Sequence, residues 1–470
     1  MRLIVFNFFN MKRVLRKVLT VWALGGLMLF SNTFSMAQSG DNEAIAITLK
    51  DALEIAQSKS LTVMVADKEI QKSGYAKKGS YAALFPKIDF SGAYQRTIKR
   101  QTMAMSMGGT TQKISVGTDN VYNIGLSAQM PLVNVALWKS LEISALGVDM
   151  AVEQARQSRQ NLINQVEQAF YTCLLAKDLT EVYKENYNHS KELYLQTKAM
   201  YESGRAAKYD MIRAEVNMQN AEPNMYNSQN SLILALWQLK ALMGIELNTE
   251  IECVGSLDDY TSNIQDLVIA SDSIDLSNNS SLKQLDIQGD ILEKTYKAQR
   301  AQYYPSLGLS ASYQYTAMAN DFKFGHYSWN PYSVASLGLS IPVFAGGERR
   351  NTLRQTKVQR QQLELQRENA RRGLVVAAKQ SISSMETALK QYSAAKATLE
   401  GAQTGFDIAK KRYEVGSGTV LEMNDAQLAL LQAKLNLNQS IHSFLVAKSA
   451  LELTLGKKAN EERVNSNFNE

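Results

Sequence analysis

Small and apolar residues recur at alternating steps of three and four along Val135 to Met200. Trp138, Leu141, Ala145, Val148, Val152, Ala155, Leu162, Val166, Ala169 and Cys173 form this seam, broken only by Arg159. Such a heptad run predicts a coiled-coil helix. At about 1.5 Å per residue it is roughly 100 Å long, far beyond an ordinary globular helix, so it must pack sideways against other long helices.

Around this rod the period changes in an ordered way. Leu49, Ala52, Leu53 and Ala56 share one helical face, and helical patterning continues to Leu84, where Pro86 ends it. Ile88, Phe90, Tyr94 and Ile98 then alternate with Asp89, Ser91, Gln95 and Thr97, the two-residue period of a strand. A polar loop containing Gly and Thr follows. Alternation returns at Tyr122, Ile124, Leu126, Ala128 and Met130, and Pro131 closes that strand before the rod begins. The rod breaks at YESGRAAKYD, where Gly204 supplies the stop, and a return helix runs from about Asp210 to Leu242 with Pro223 inside it, where a bend is expected.

The whole pattern then comes round again. A helix from about Ser281 to Tyr304 leads to Leu307, Leu309, Ala311, Tyr313 and Tyr315 in alternation, and then to Ala335, Leu337, Leu339 and Ile341. A second rod carries Met385, Ala388, Tyr392, Ala395, Leu399, Ala402, Phe406, Ala409 and Tyr413, breaks at YEVGSGTVLE, and returns through Leu428, Leu431, Leu435, Ile441 and Leu445. At an offset of about 212 residues, Tyr201, Glu202, Gly204, Asp210, Met211, Ala214, Ala221 and Gly244 match Tyr413, Glu414, Gly416, Glu422, Met423, Ala426, Ala433 and Gly456, which marks a duplication. The expected organisation is a signal peptide over 1–37, a first repeat over 38–244, a mixed connector over 245–276, a second repeat over 277–456 and a tail over 457–470.

The signal peptide rests on Lys12, Arg13, Arg16 and Lys17 before an apolar run from Val18 to Phe30, with Ser35 and Ala37 placed for cleavage after Ala37. That run is shorter than the roughly 20 residues a spanning helix needs. Cleavage removes five basic residues and no acidic one, so the net charge falls from +6 to about +1 and gives no footprint for nucleic acid. Cys173 and Cys253 are too few for a disulfide scaffold; an exported chain could pair them, while Cys173 on the heptad seam also suits a small core residue.

Strands of about a dozen residues with one apolar and one polar face have the length and sorting of a lipid-embedded barrel. Four per chain cannot close one, and open edges do not survive in lipid. The fold class expected is therefore mostly α with a membrane β-barrel portion: a cyclic oligomer pools the strands into one barrel and the rods into one tube, with Ala145, Ala155, Ala169, Ala395, Ala402 and Ala409 allowing close helix approach.

These features, together with LKDALEIA near the start, MPLVN and IPVFAGGERR at strand ends, and the paired breaks YESG and YEVG, resemble the TolC-like outer-membrane efflux channels over nearly all of the mature chain. The resemblance implies a homotrimer with a twelve-stranded barrel in outer-membrane lipid and a helical tube through the periplasm. It would dock to a periplasmic adaptor and an inner-membrane pump, forming a passive exit duct of a tripartite efflux or type I secretion system. The rival from another class is a periplasmic coiled-coil scaffold or adaptor without a pore.

No enzyme, cofactor or resident metal is expected: His189, His326 and His442 are scattered and no GxxxxGK[ST] phosphate loop occurs. The informative residues lie at the helix breaks. Glu422 and Asp425 can share one face at the start of a helix, where acids favour the helix dipole; in a symmetric tube the same acids would form carboxylate rings. They match the acidic periplasmic gate of the TolC-like family, and Asp210 and Tyr413 match residues that latch its hairpins shut. The family's latching arginine falls on Gly418 here, leaving Arg205 or Arg213 as substitutes. Gly204, Arg205, Ala206, Gly416, Ser417 and Gly418 would form the tips that meet the adaptor. Met103, Met105 and Met107 in the first outer loop offer aligned thioethers for a soft metal, or merely an apolar loop.

Overall fold

The computed structural model describes residues 45–107, 110–261 and 274–457; the expected signal peptide and all but the first residue of the expected tail lie outside the described residues. In chain order the elements are β1 (Ile45–Ile47), α1 (Leu49–Lys59), α2 (Leu61–Tyr81), β2 (Lys87–Arg96), β3 (Gln101–Met107), β4 (Thr110–Val116), β5 (Asn120–Val133), α3 (Val135–Glu202) and α4 (Lys208–Met243). Then come β6 (Ile251–Cys253), α5 (Ser280–Ala301), β7 (Ser306–Ala319), β8 (Trp329–Ser340), α6 (Glu348–Glu414) and α7 (Val420–Thr454). Among the described residues no helix is long and apolar enough to cross a membrane.

The rods are the 68-residue α3 and the 67-residue α6. Each turns back on its partner, α4 or α7, as an antiparallel hairpin, and α3 also packs along α7. On the α3 seam Leu141, Ala155, Leu162, Val166, Ala169 and Cys173 are buried, whereas Trp138 is exposed. On the α6 seam Met385, Ala388, Ala395, Phe406 and Tyr413 are buried. The final helix buries Ile441 and Leu445 as expected but departs from the expected leucine face near its start. Leu428 is 63% exposed, and Met423, Gln427, Leu430 and Ala433 face inward instead. Gln427 holds the register of the two hairpins, its Nε2 donating to the Asn186 carbonyl at 2.9 Å and to Ser190 Oγ at 2.8 Å. Helix α4 runs unbroken through Pro223.

Halfway along the rods lies the main core. Phe170, Cys173 and Leu174 of α3, Leu239 and Met243 of α4, and Ile441 and Phe444 of α7 are buried there with Ile47, Ala52 and Ala56. Thr48 caps α1 through a reciprocal pair with Asp51, which aims Ala52 and Ala56 into this core. β1 and β6 form a short parallel ladder against it, Ile47 opposite Cys253. Three-residue strands are too short to show a period, and neither was expected from the sequence.

At the other end of the rods, β2, β5, β7 and β8 make one antiparallel sheet in that order. Its register lines up the two faces. Ala128, Ala311 and Ala335 stand opposite one another beside Ile88; Phe90, Leu126 and Tyr313 form the next row, and Met130, Leu309 and Leu337 another. Between them lie rows such as Gln129, Ser310 and Ser336, or Asp89, Ser127 and Ser312. The sheet is open: every residue of β2 and of β8 is exposed, and these are its two edges. Proline is tolerated at such an edge, as at Pro331 in β8. Pro131 sits inside β5 beside a register shift rather than ending the strand, which continues to Val133. The loop expected between β2 and β5 is itself a hairpin, β3 with β4. Met103 and Met105 on β3 are half exposed, at 51% and 53%.

Candidate functional site

The two hairpin tips face away from the sheet end of the rods, and each is built on one glycine. Gly204 and Gly416 have φ of +75° and +77°, a left-handed conformation in which a Cβ is strained. At the first tip the Gly204 amide donates to the Tyr201 carbonyl (2.9 Å) and the Arg205 amide to the Met200 carbonyl (2.7 Å). At the second, Gly416 donates to Tyr413 (3.0 Å), and Ser417 and Gly418 both donate to the Arg412 carbonyl (2.9 Å each). The last carbonyls of both rods are satisfied in this way without a longer loop.

Glu422 does two local jobs. It closes a capping box at the start of α7, accepting from the Thr419 amide at 3.2 Å while its own amide donates to Thr419 Oγ1 at 3.2 Å. Its carboxylate also lies 3.6 Å from Arg412 Nη2. Asp425, one turn on, is exposed. The helix-start reading is therefore realised for Glu422, while Asp425 lies beyond the first turn, and both acids remain at the solvent face.

Tyr413 is nearly buried, 6% exposed, among Leu193, Ala214, Phe406, Val420, Met423 and Leu430. Its hydroxyl lies 2.6 Å from Thr197 Oγ1, which in turn donates to the Leu193 carbonyl at 2.7 Å. One hydrogen bond thus ties rod α6 to rod α3 close to both tips. Burial, reinforced by the negative charge of nearby Asp210, pushes the Tyr413 phenol above its usual range, while Thr197 works the other way. Asp210 acts on the phenol through its charge, and the hydroxyl's hydrogen-bond partner is Thr197.

The arginines near the tips occupy different settings. Arg205 is exposed and its Nε donates to Ser203 Oγ on its own tip (3.1 Å); Arg213 is half-buried on α4. The guanidinium beside Glu422 is Arg412, which sequence reasoning missed. It bonds the Ser417 carbonyl at 3.3 Å as well as flanking Glu422. A Cβ on Gly418 would stand 3.0 Å from the Tyr413 amide nitrogen and 3.1 Å from Arg412 Cβ, so a side chain at that position requires a shifted tip. Arg412 directly precedes the Tyr-Glu-x-Gly break, and that adjacency was the available signal. Ala206 is half-buried and Gly204, Gly416 and Ser417 are exposed.

Comparison with known proteins agrees with this architecture. The family model described as "Outer membrane efflux protein" matches residues 52–245 and 273–457, one match per repeat. The alkaline protease secretion protein AprF of Pseudomonas aeruginosa is 22% identical over 97% of this chain and 92% of its own. The outer membrane protein TolC of Vibrio cholerae is 23% identical over 83% of this chain and 86% of its own. Among solved structures, the Campylobacter jejuni CmeC outer membrane channel superposes with a TM-score of 0.67 at 17% identity, covering 87% of this chain and 85% of that one. The open state of the Neisseria gonorrhoeae MtrE channel gives 0.68 at 17% identity, covering 89% and 93%. With both repeats matched over more than half of its length, the chain belongs to the outer membrane efflux protein family, the TolC-like channels.

Proposed function

We propose that three copies of this chain assemble into one passive duct, a twelve-stranded barrel in the outer membrane continued by a helical tube through the periplasm, serving a tripartite efflux or secretion system. The observation that carries this reading is the open four-stranded sheet, with apolar rows in register such as Ile88, Ala128, Ala311 and Ala335, and two bare edges. Such edges are untenable in lipid unless a neighbouring copy pairs with them, β8 of one against β2 of the next. A pore-free periplasmic scaffold has no use for that apolar face.

Within the duct, Glu422 and Asp425 line the closed periplasmic mouth as rings of carboxylates, Tyr413, Asp210 and Arg412 hold the hairpins in the closed arrangement, and the glycine tips meet a periplasmic adaptor. Energy for transport comes from an inner-membrane pump, since a ring of acids selects ions but drives nothing. Purified protein reconstituted in a planar lipid bilayer should conduct in discrete steps and favour cations. Absence of conductance in a correctly inserted sample would contradict this function.

A further inference from the structure

The chain has two cysteines, and the fold brings them together. Cys173 lies on α3 with no exposed surface, and Cys253 ends β6 at 2% exposure. Both are free thiols in the main core, where β6 packs against α3. This meeting is held by a strap of contacts rather than by a single apolar touch. One turn beyond Cys173, Lys177 Nζ donates to the Cys253 carbonyl at 3.0 Å and to Glu252 Oε1 at 2.9 Å. The next residue, Asp178, accepts from the Leu257 amide at 3.1 Å, and on the other side the Val254 amide donates to the Ile47 carbonyl at 3.0 Å. The segment around Cys253 is therefore tied to α3 through Lys177 and Asp178 and to β1 through the Val254 amide.

From this juxtaposition we propose that Cys173 and Cys253 form an intramolecular disulfide in the native protein. The proposal rests on the outer-membrane location of the family, which places this core outside the cytoplasmic thiol pool, in the compartment where disulfides persist. With two cysteines in the chain, only one pairing is available. The duplication does not account for Cys173, whose counterpart 212 residues on is Met385, also buried but unable to bridge.

The chemistry is ordinary exchange. During folding, before either sulfur is covered, one cysteine thiolate attacks a disulfide of an envelope dithiol–disulfide oxidant and displaces one of its thiolates. The second cysteine then attacks the mixed disulfide, forming the Cys173–Cys253 bond and releasing the oxidant as a dithiol. Two electrons and two protons pass from the pair to the oxidant. The product closes a covalent ring that leaves α3 at its midpoint, rounds the first tip at Gly204, returns along α4 and ends at β6. The first hairpin is thus stapled at its base, whereas the second has no such tie.

The test uses full-length protein from the outer-membrane fraction, quenched in acid, unfolded, alkylated without reductant and digested. The expected product is one linked peptide pair, about 2 Da lighter than the sum of the two thiol peptides, with no alkylation at either cysteine until reductant is added. Alkylation of both cysteines in the unreduced sample would overturn the proposal. A Cys173→Ala variant should leave Cys253 alkylated, which verifies that the reagent reaches it. The thiol state is read from the peptides themselves and channel activity from conductance, so failure of the disulfide and failure of the proposed function are separate results.

Discussion

At the scale of single residues, charge and capping are combined in Glu422, and the two roles can be separated. Gln keeps an acceptor for the Thr419 amide, so Glu422→Gln preserves the capping box while removing the charge. Combined with Asp425→Asn, it should reduce the cation-to-anion permeability ratio several-fold in single-channel recordings with little change in thermal stability. Unchanged selectivity would remove the gate assignment. Tyr413→Phe deletes only the hydroxyl that meets Thr197. It should cost about 1 kcal/mol of stability, the usual worth of a buried hydrogen bond, and raise the fraction of time the channel spends open. The sequence pointed to Tyr413, Asp210 and the two acids. It could not show Thr197 or Arg412 as their partners, because those contacts depend on how α6 rotates against α3 and on the fold of its own tip, and neither leaves a periodic trace.

At the scale of elements, legibility followed length. The rods and the four long strands carry enough repeats of period 3.5 or 2 for the pattern to define them. β1 and β6 are three residues each, and the β3–β4 hairpin is polar on most positions, so tertiary pairing rather than patterning reveals them. The inward face of α7 was misjudged around Leu428 because a helix in a shared tube has two apolar neighbours, and the sequence does not say which face meets its own chain. The tips provide the element-scale prediction. Gly416→Val forces a branched side chain into a left-handed backbone, at roughly 1 to 2 kcal/mol. Its main effect should be functional: efflux, read as growth in the presence of an exported toxic compound, is lost while membrane insertion persists. Normal efflux would separate this tip from adaptor docking.

At the scale of the whole molecule, the protomer is visibly incomplete. Besides the bare sheet edges, Leu365 and Val376 on α6 and Leu428 on α7 are 72%, 64% and 63% exposed. Isolated exposed apolar residues are commonplace, but here they accompany a sheet whose apolar rows need lipid on one side and partners at both ends. In the proposed assembly the duplication lets three copies suffice: each chain brings two hairpins and two rods, so a threefold axis would yield a wall close to sixfold in its elements. The central claim is that closure of the wall requires three chains. The native mass of the protein, extracted from the outer membrane in mild detergent, tests it most directly: a particle of three polypeptides is predicted, and a stable single chain dispersed in detergent would contradict it.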